Sequence, residues 1–155
     1  MHPTTIPIRG RLWFPVLLLA CLLVPANGFA DDEQRATALF AGGCFWCVEE
    51  AFDAVEGVVA TTSGFAGGHV ENPSYERVTA GDTGHYESVL VAYDPSRVSY
   101  EELLYVFWRN VDPLDGGGQF CDRGGPYRAA IFVGGEDEYR SALASKEDFP
   151  TSIAG

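Results

Sequence analysis

Two adjacent glycines, Gly42 and Gly43, separate an apolar run, Ala36 to Ala41, from a stretch in which Phe45, Val48, Phe52 and Val55 recur at helical spacing. The first segment reads as a buried strand. The second reads as an amphipathic helix over Cys44–Val55, with Glu49, Glu50 and Asp53 on its outer face and Gly57 as its stop. A strand that passes directly into a helix commits the chain to a mixed fold. The handover also sets a cysteine, Cys44, at the start of the helix.

The alternation continues along the chain. Val58 to Phe65 is β-rich and is closed by Gly67-Gly68, residues 69–84 are polar and loop-like, and Ser88 to Tyr93 reads as a strand stopped by Asp94-Pro95. Ser99 with Glu102 makes a capping box, and Val98 with Leu103 makes a hydrophobic staple, so a second helix starts there. Its apolar face is Leu103, Leu104, Phe107 and Trp108. A loop over 110–126 leads to a strand at Tyr127–Val133 and a further helix from Glu136 to Lys146. The order β-α-β-β-α-β-α predicts an α+β fold: a ferredoxin-like split β-α-β two-layer sandwich, with helices packed on a mainly antiparallel sheet. The two long loops exceed the usual connection length and are expected to carry function.

Residues 1–30 contain two basic residues, Arg9 and Arg11, and no acidic one. A short apolar stretch, Leu12 to Val24, and small residues at Gly28 and Ala30 then make a secretory signal peptide cleaved after Ala30. The alternatives are an uncleaved anchor and a lipid-anchored chain starting at Cys21. The expectation is an exported protein, periplasmic or secreted, with a single domain over 31–155. Removing 30 of the 155 residues leaves 125 with net charge −14, because only Arg9 and Arg11 are lost from a total of −12. So acidic a chain is unsuited to nucleic-acid backbones. The three remaining cysteines, Cys44, Cys47 and Cys121, are an odd number, which points to a free or reactive thiol.

A thiol at a helix start meets unpaired backbone N–H groups and the positive end of the helix dipole, and both favour the nucleophilic thiolate. Cys44-Phe45-Trp46-Cys47 is also a C-x-x-C pair with redox potential of its own. A zinc half-site would need His69, His85 and Cys121, whose spacing matches no compact zinc module, so no metal is expected. Simple packing of Cys44 or Cys47 in the core stays open. Phe45 fits the core stripe, whereas Trp46 falls off it and is free to be displayed beside the thiol.

Gly43-Cys44-Phe45-Trp46, Gly64-Phe65-Ala66-Gly67-Gly68, Asn72-Pro73-Ser74-Tyr75, Gly81-Asp82-Thr83-Gly84-His85-Tyr86-Glu87, Tyr93-Asp94-Pro95 and Asp122-Arg123-Gly124-Gly125-Pro126-Tyr127-Arg128 follow one another in that order. From about Leu39 to Val133 the chain resembles peptide methionine sulfoxide reductase of the A type. The resemblance implies reduction of methionine S-sulfoxide, free or in proteins, with no bound cofactor. It implies Cys44 as the catalytic thiolate and Glu87 as the proton donor. It places Tyr75 and Tyr127 on the sulfoxide oxygen, Asp122 in support, and Phe45 and Trp46 around the methyl group. His85 is read as structural, and Arg128 as the partner of a carboxylate.

Two departures stand out. Cys47 occupies a position that is often glycine in the family, and Cys121 directly precedes Asp122. No cysteine follows Cys121, so a sulfenic acid on Cys44 is left to Cys121, to Cys47 or to an external thiol, with thioredoxin as the expected reductant. Proximity to Asp122 favours Cys121. The chain stops soon after its last helix, and the expectation is a truncated C-terminus and a monomer. The competing functions are a general disulfide oxidoreductase using Cys44 and Cys47, and a non-catalytic binder.

Overall fold

A computed structural model describes residues 35–152, with side chains to residue 149. The leader over 1–30, its cleavage site and Cys21 lie outside the described residues. The elements in chain order are β1 (Ala36–Gly42), α1 (Phe45–Asp53), β2 (Val58–Ala66), α2 (Tyr75–Thr79), β3 (Tyr86–Tyr93), α3 (Tyr100–Arg109), β4 (Gly118–Gln119), β5 (Asp122–Arg123), β6 (Ala129–Phe132) and α4 (Glu136–Ser152). The main sheet has the order β2-β3-β1-β6 and every pairing in it is antiparallel. Helices α1 and α3 pack against it, which is the split β-α-β sandwich expected from the alternation.

The core lies between that sheet and the helices. Phe40 of β1 stacks on Phe52 of α1 at 4.9 Å and on Phe107 of α3 at 5.4 Å. Leu103 and Leu104 are fully buried beside them. Burying each such side chain contributes about 1.5–3 kcal/mol, so these contacts lock both helices to the sheet. Helix α3 starts where its sequence requires: Ser99 Oγ accepts from the Glu102 N–H, and the Glu102 carboxylate accepts from the Ser99 N–H at 2.8 Å.

Strand β3 shows which face is which. Glu87, Val89, Val91 and Tyr93 are buried at two-residue spacing, whereas Leu90 is 41% exposed. Glu87 therefore shares the core face with three apolar residues. The strand begins at Tyr86 rather than Ser88, because Ala66 and Phe65 continue the β2 ladder opposite Tyr86 and Glu87.

Three further differences from the sequence expectation have local causes. Within 69–84 a short helix forms at Tyr75–Thr79, capped by Ser74; with one buried residue, Val78, it has no readable period. Within 110–126 a two-residue β-ladder pairs Gly118 with Arg123 and Gln119 with Asp122. Tyr127 closes a 3-10 turn, Gly125–Tyr127, instead of opening the last strand, because Pro126 removes an N–H donor and the Tyr127 N–H bonds back to the Gly124 carbonyl at 3.1 Å. Arg128 lacks a carboxylate partner among the described residues; it donates to the Gly125 carbonyl at 3.0 Å and lies over the Tyr86 ring at 4.8 Å. No described helix is long and apolar enough to cross a membrane.

Candidate active site

Cys44 caps α1 at its N-terminus, and its carbonyl accepts from the N–H groups of Cys47 (3.1 Å) and Val48 (3.2 Å). The preceding Gly43 has φ +93°, and a Cβ there would sit 2.7 Å from Gln119 Cβ. Only glycine allows the backbone to turn left-handed this close to another chain segment. The turn thereby presents the Cys44 thiol beside the open end of the helix.

The Phe45 N–H, one residue beyond Cys44, is one of the helix donors without an intrahelical partner. It donates to Glu87 Oε2 at 3.1 Å, which brings the core face of β3 against the start of α1. Glu87 is 1% exposed, and its other oxygen, Oε1, is buried with no partner. Burial pushes the Glu87 carboxyl above the usual glutamate range; the Phe45 hydrogen bond opposes this, and the nearby Asp122 charge adds to it. A buried carboxyl with one bare oxygen is costly as an anion and inexpensive as an acid.

Cys47 shares the first turn of α1 with Cys44 and is exposed. Its thiol is pushed up first by partial desolvation, then by the neighbouring Cys44, then by Asp122 and Glu50. Cys121 is exposed at the turn joining β4 and β5, and it is absent from the groups acting on Cys47. All three cysteines are free thiols.

An aromatic wall stands beside the thiols. The Phe45 ring lies 5.5 Å from Trp46, 5.9 Å from Phe65 and 6.4 Å from Tyr75. Phe45 is buried, while Trp46 is 65% exposed, so one ring anchors the wall and the other is displayed. The Tyr127 phenol neighbours Tyr75 and is pushed up to about 12, by burial first and then by Glu87 and Tyr75. Two phenols and an acid thus converge at the start of α1.

His85 is a clamp for the loop after β2: its Nδ1 accepts from the Gly68 N–H at 3.2 Å, and its Nε2 donates to the Val70 carbonyl at 2.8 Å. That hydrogen-bond pattern assigns the neutral tautomer with the proton on Nε2. Among the described residues no three His, Cys, Asp or Glu side chains are grouped as a metal ion would require.

Two members of the site were not foreseen. Phe65 joins the aromatic wall, and its signal was the run of small residues around it, which lets a loop turn beside the ring. Gln119 is 1% exposed and backs the Gly43 turn. Its amide donates to the carbonyls of Asp112 (3.0 Å), Asp115 (3.3 Å) and Gly118 (2.7 Å), and its oxygen accepts from the Asp112 N–H at 2.6 Å. A lone Gln in a glycine-rich loop carries no sequence signal of burial.

The family model described as peptide methionine sulfoxide reductase matches residues 36–153. The chain belongs to this family. It is 58% identical over 115 residues to the peptide methionine sulfoxide reductase MsrA 2 of Caulobacter vibrioides, which covers 74% of this chain and 58% of that one. Among solved structures, methionine sulfoxide reductase A of Corynebacterium diphtheriae superposes with a TM-score of 0.75 at 35% identity, covering 80% of this chain and 60% of the other. Reduced Mxr1 of Saccharomyces cerevisiae gives 0.73 at 28% identity, covering 79% and 72%. Mxr1 has also been solved in complex with Trx2; that form is 17% identical by superposition and shares the fold alone. The chain thus spans about three-fifths of the length of the Caulobacter and Corynebacterium relatives.

Proposed function

We propose that the chain reduces methionine S-sulfoxide, free or in proteins, to methionine, acting as a monomer with Cys44 as nucleophile and Glu87 as proton donor. The observation that carries this reading is the buried Glu87 carboxyl, bonded to the amide next to Cys44 and bare at its second oxygen. A sulfoxide is a poor electrophile until its oxygen is protonated. Glu87 supplies that proton, and the Tyr75 and Tyr127 hydroxyls hold the oxygen as charge builds on it. Burial favours the protonated form of Glu87, and the nearby Asp122 adds to it. The wall of Phe45 and Trp46 receives the methyl group.

The Cys44 thiolate attacks the substrate sulfur. As the oxygen, protonated by Glu87, passes to Cys44 as a hydroxyl, the transient bond between the two sulfurs breaks with its electron pair left on the substrate sulfur; the substrate is reduced to methionine by two electrons and Cys44 is oxidised by two to a sulfenic acid. Cys47 then displaces that hydroxyl as water and forms a disulfide with Cys44. A thioredoxin-type dithiol returns both cysteines to thiols; for Mxr1, the complex with Trx2 is the precedent. A general disulfide oxidoreductase would use the same two cysteines but would have no task for a buried acid and paired phenols.

The test uses the full chain with dithiothreitol and each epimer of a methionine sulfoxide peptide. The S epimer is expected to yield one methionine per dithiol oxidised, and the R epimer is expected to persist. Equal consumption of both, or of neither, would sink the reading. Export is a separate proposal that rests on the leader. Chain recovered outside the cytoplasm is expected to begin at Asp31; a start at Met1 or at Cys21 would refute cleavage after Ala30.

A further inference from the structure

Phe120 is 69% exposed and has φ +52°, a left-handed conformation that bulky residues rarely adopt. Among the described residues the other non-glycine residue of that kind is Asn72, a type that tolerates it. The turn around Phe120 is held firmly. Gln119 before it is buried with four hydrogen bonds, Gln119 pairs with Asp122 across the ladder, and the Gly124 N–H bonds to the Gly117 carbonyl at 2.9 Å. A rigid, strained turn thus holds a phenyl ring out in water.

The location gives that ring a use. Gln119 packs on Gly43, directly before Cys44, and Asp122, two residues past Phe120, acts electrostatically on Glu87, Tyr127 and Cys47. Trp46 and Tyr75 are the exposed rings contributed by α1 and α2. Phe120 is the exposed ring contributed by the hairpin, and none of the steps above uses it. On a chain of net charge −12, an uncharged ring at the rim offers apolar contact.

We propose that Phe120 is a specificity-determining residue, packing against an apolar side chain next to the oxidised methionine in an extended polypeptide. This deepens the reading above and rests on it. A ring held in advance loses little freedom on binding, so the apolar area it covers goes into affinity.

The experiment compares two S-sulfoxide peptides, one with Leu and one with Ser beside the oxidised methionine, under dithiothreitol. The wild-type chain is expected to favour the Leu peptide in kcat/KM by about tenfold. Phe120→Asn keeps a residue that tolerates the left-handed turn but removes the ring; the preference should fall to about one, and Phe120→Tyr should restore it. An unchanged ratio in Phe120→Asn overturns the proposal, as does a parallel loss on both peptides, which would mark a structural role. A defect seen only when thioredoxin replaces dithiothreitol also overturns it, in favour of reductant docking. No turnover of either peptide by the wild type would overturn the parent reading and this one with it.

Discussion

Replacing Glu87 by Gln is expected to lower kcat/KM for methionine S-sulfoxide by about 10²–10⁴, the usual range for a positioned general acid, without unfolding the protein. The amide keeps an oxygen that accepts from the Phe45 N–H, so the link between β3 and α1 survives. What it lacks is a proton to give. The variant has a second signature, in stability. Burial raises the folded-state pKa of Glu87 above its ordinary value of 4.5. Between 4.5 and that raised value the folded chain holds more protons than the unfolded one, so stability falls as pH rises through the window. The contribution is complete below 4.5 and lost above the folded pKa. Gln does not titrate, so the stability of Glu87→Gln relative to wild type should rise across that window. Urea unfolding from pH 4 to 8 checks this, and kinetics with dithiothreitol check the acid. Activity within threefold of wild type would remove Glu87 from the mechanism, whereas a flat stability difference would mean that burial does not shift it.

The same residue shows how far the fold could be read in advance. The alternation of strand and helix followed from periodicity, because long apolar stripes repeat at 3.6 or 2 residues. Glu87 broke that pattern. A charged residue next to a strand looks like the strand's edge, so the expected boundary fell two residues too late, at Ser88. Yet the two-residue spacing from Val89, Val91 and Tyr93 back to position 87 was already there, and it places the carboxyl on the buried face. Elements too short to repeat left no such trace: α2, which carries Tyr75, and the β4–β5 hairpin, which carries Asp122. The hairpin is held by the hydrogen bonds of Gln119 within its own loop, and α2 by its Ser74 cap, neither of which makes a repeating pattern. The likeness of ordered motifs could name Tyr75, Tyr127 and Asp122, but only the folded chain brings the two phenols together.

Replacing Cys47 by Ser is expected to halt the cycle after one turnover: one methionine per chain under a thioredoxin reductant, then a steady rate at least about a hundredfold below wild type. Cys121→Ser should stay within about twofold. The asymmetry comes from geometry. Residues three apart on one helical turn have Cβ atoms about 5–6 Å apart, close to the reach of a disulfide. A positioned thiol reacts with an effective concentration of up to about 10⁵ M or more, which no external thiol matches. Chemistry adds a trigger. After burial, the neighbouring Cys44 is the largest cause that raises Cys47. Oxidation of Cys44 to the sulfenic acid makes its sulfur the electrophile that this thiol attacks. Cys121 is not among the groups acting on Cys47 and is exposed on the turn joining β4 and β5. Thiol counts after one equivalent of substrate separate the two routes. Loss of two thiols in Cys121→Ser but not in Cys47→Ser supports Cys47 as the resolving residue; the reverse pattern would transfer the role to Cys121.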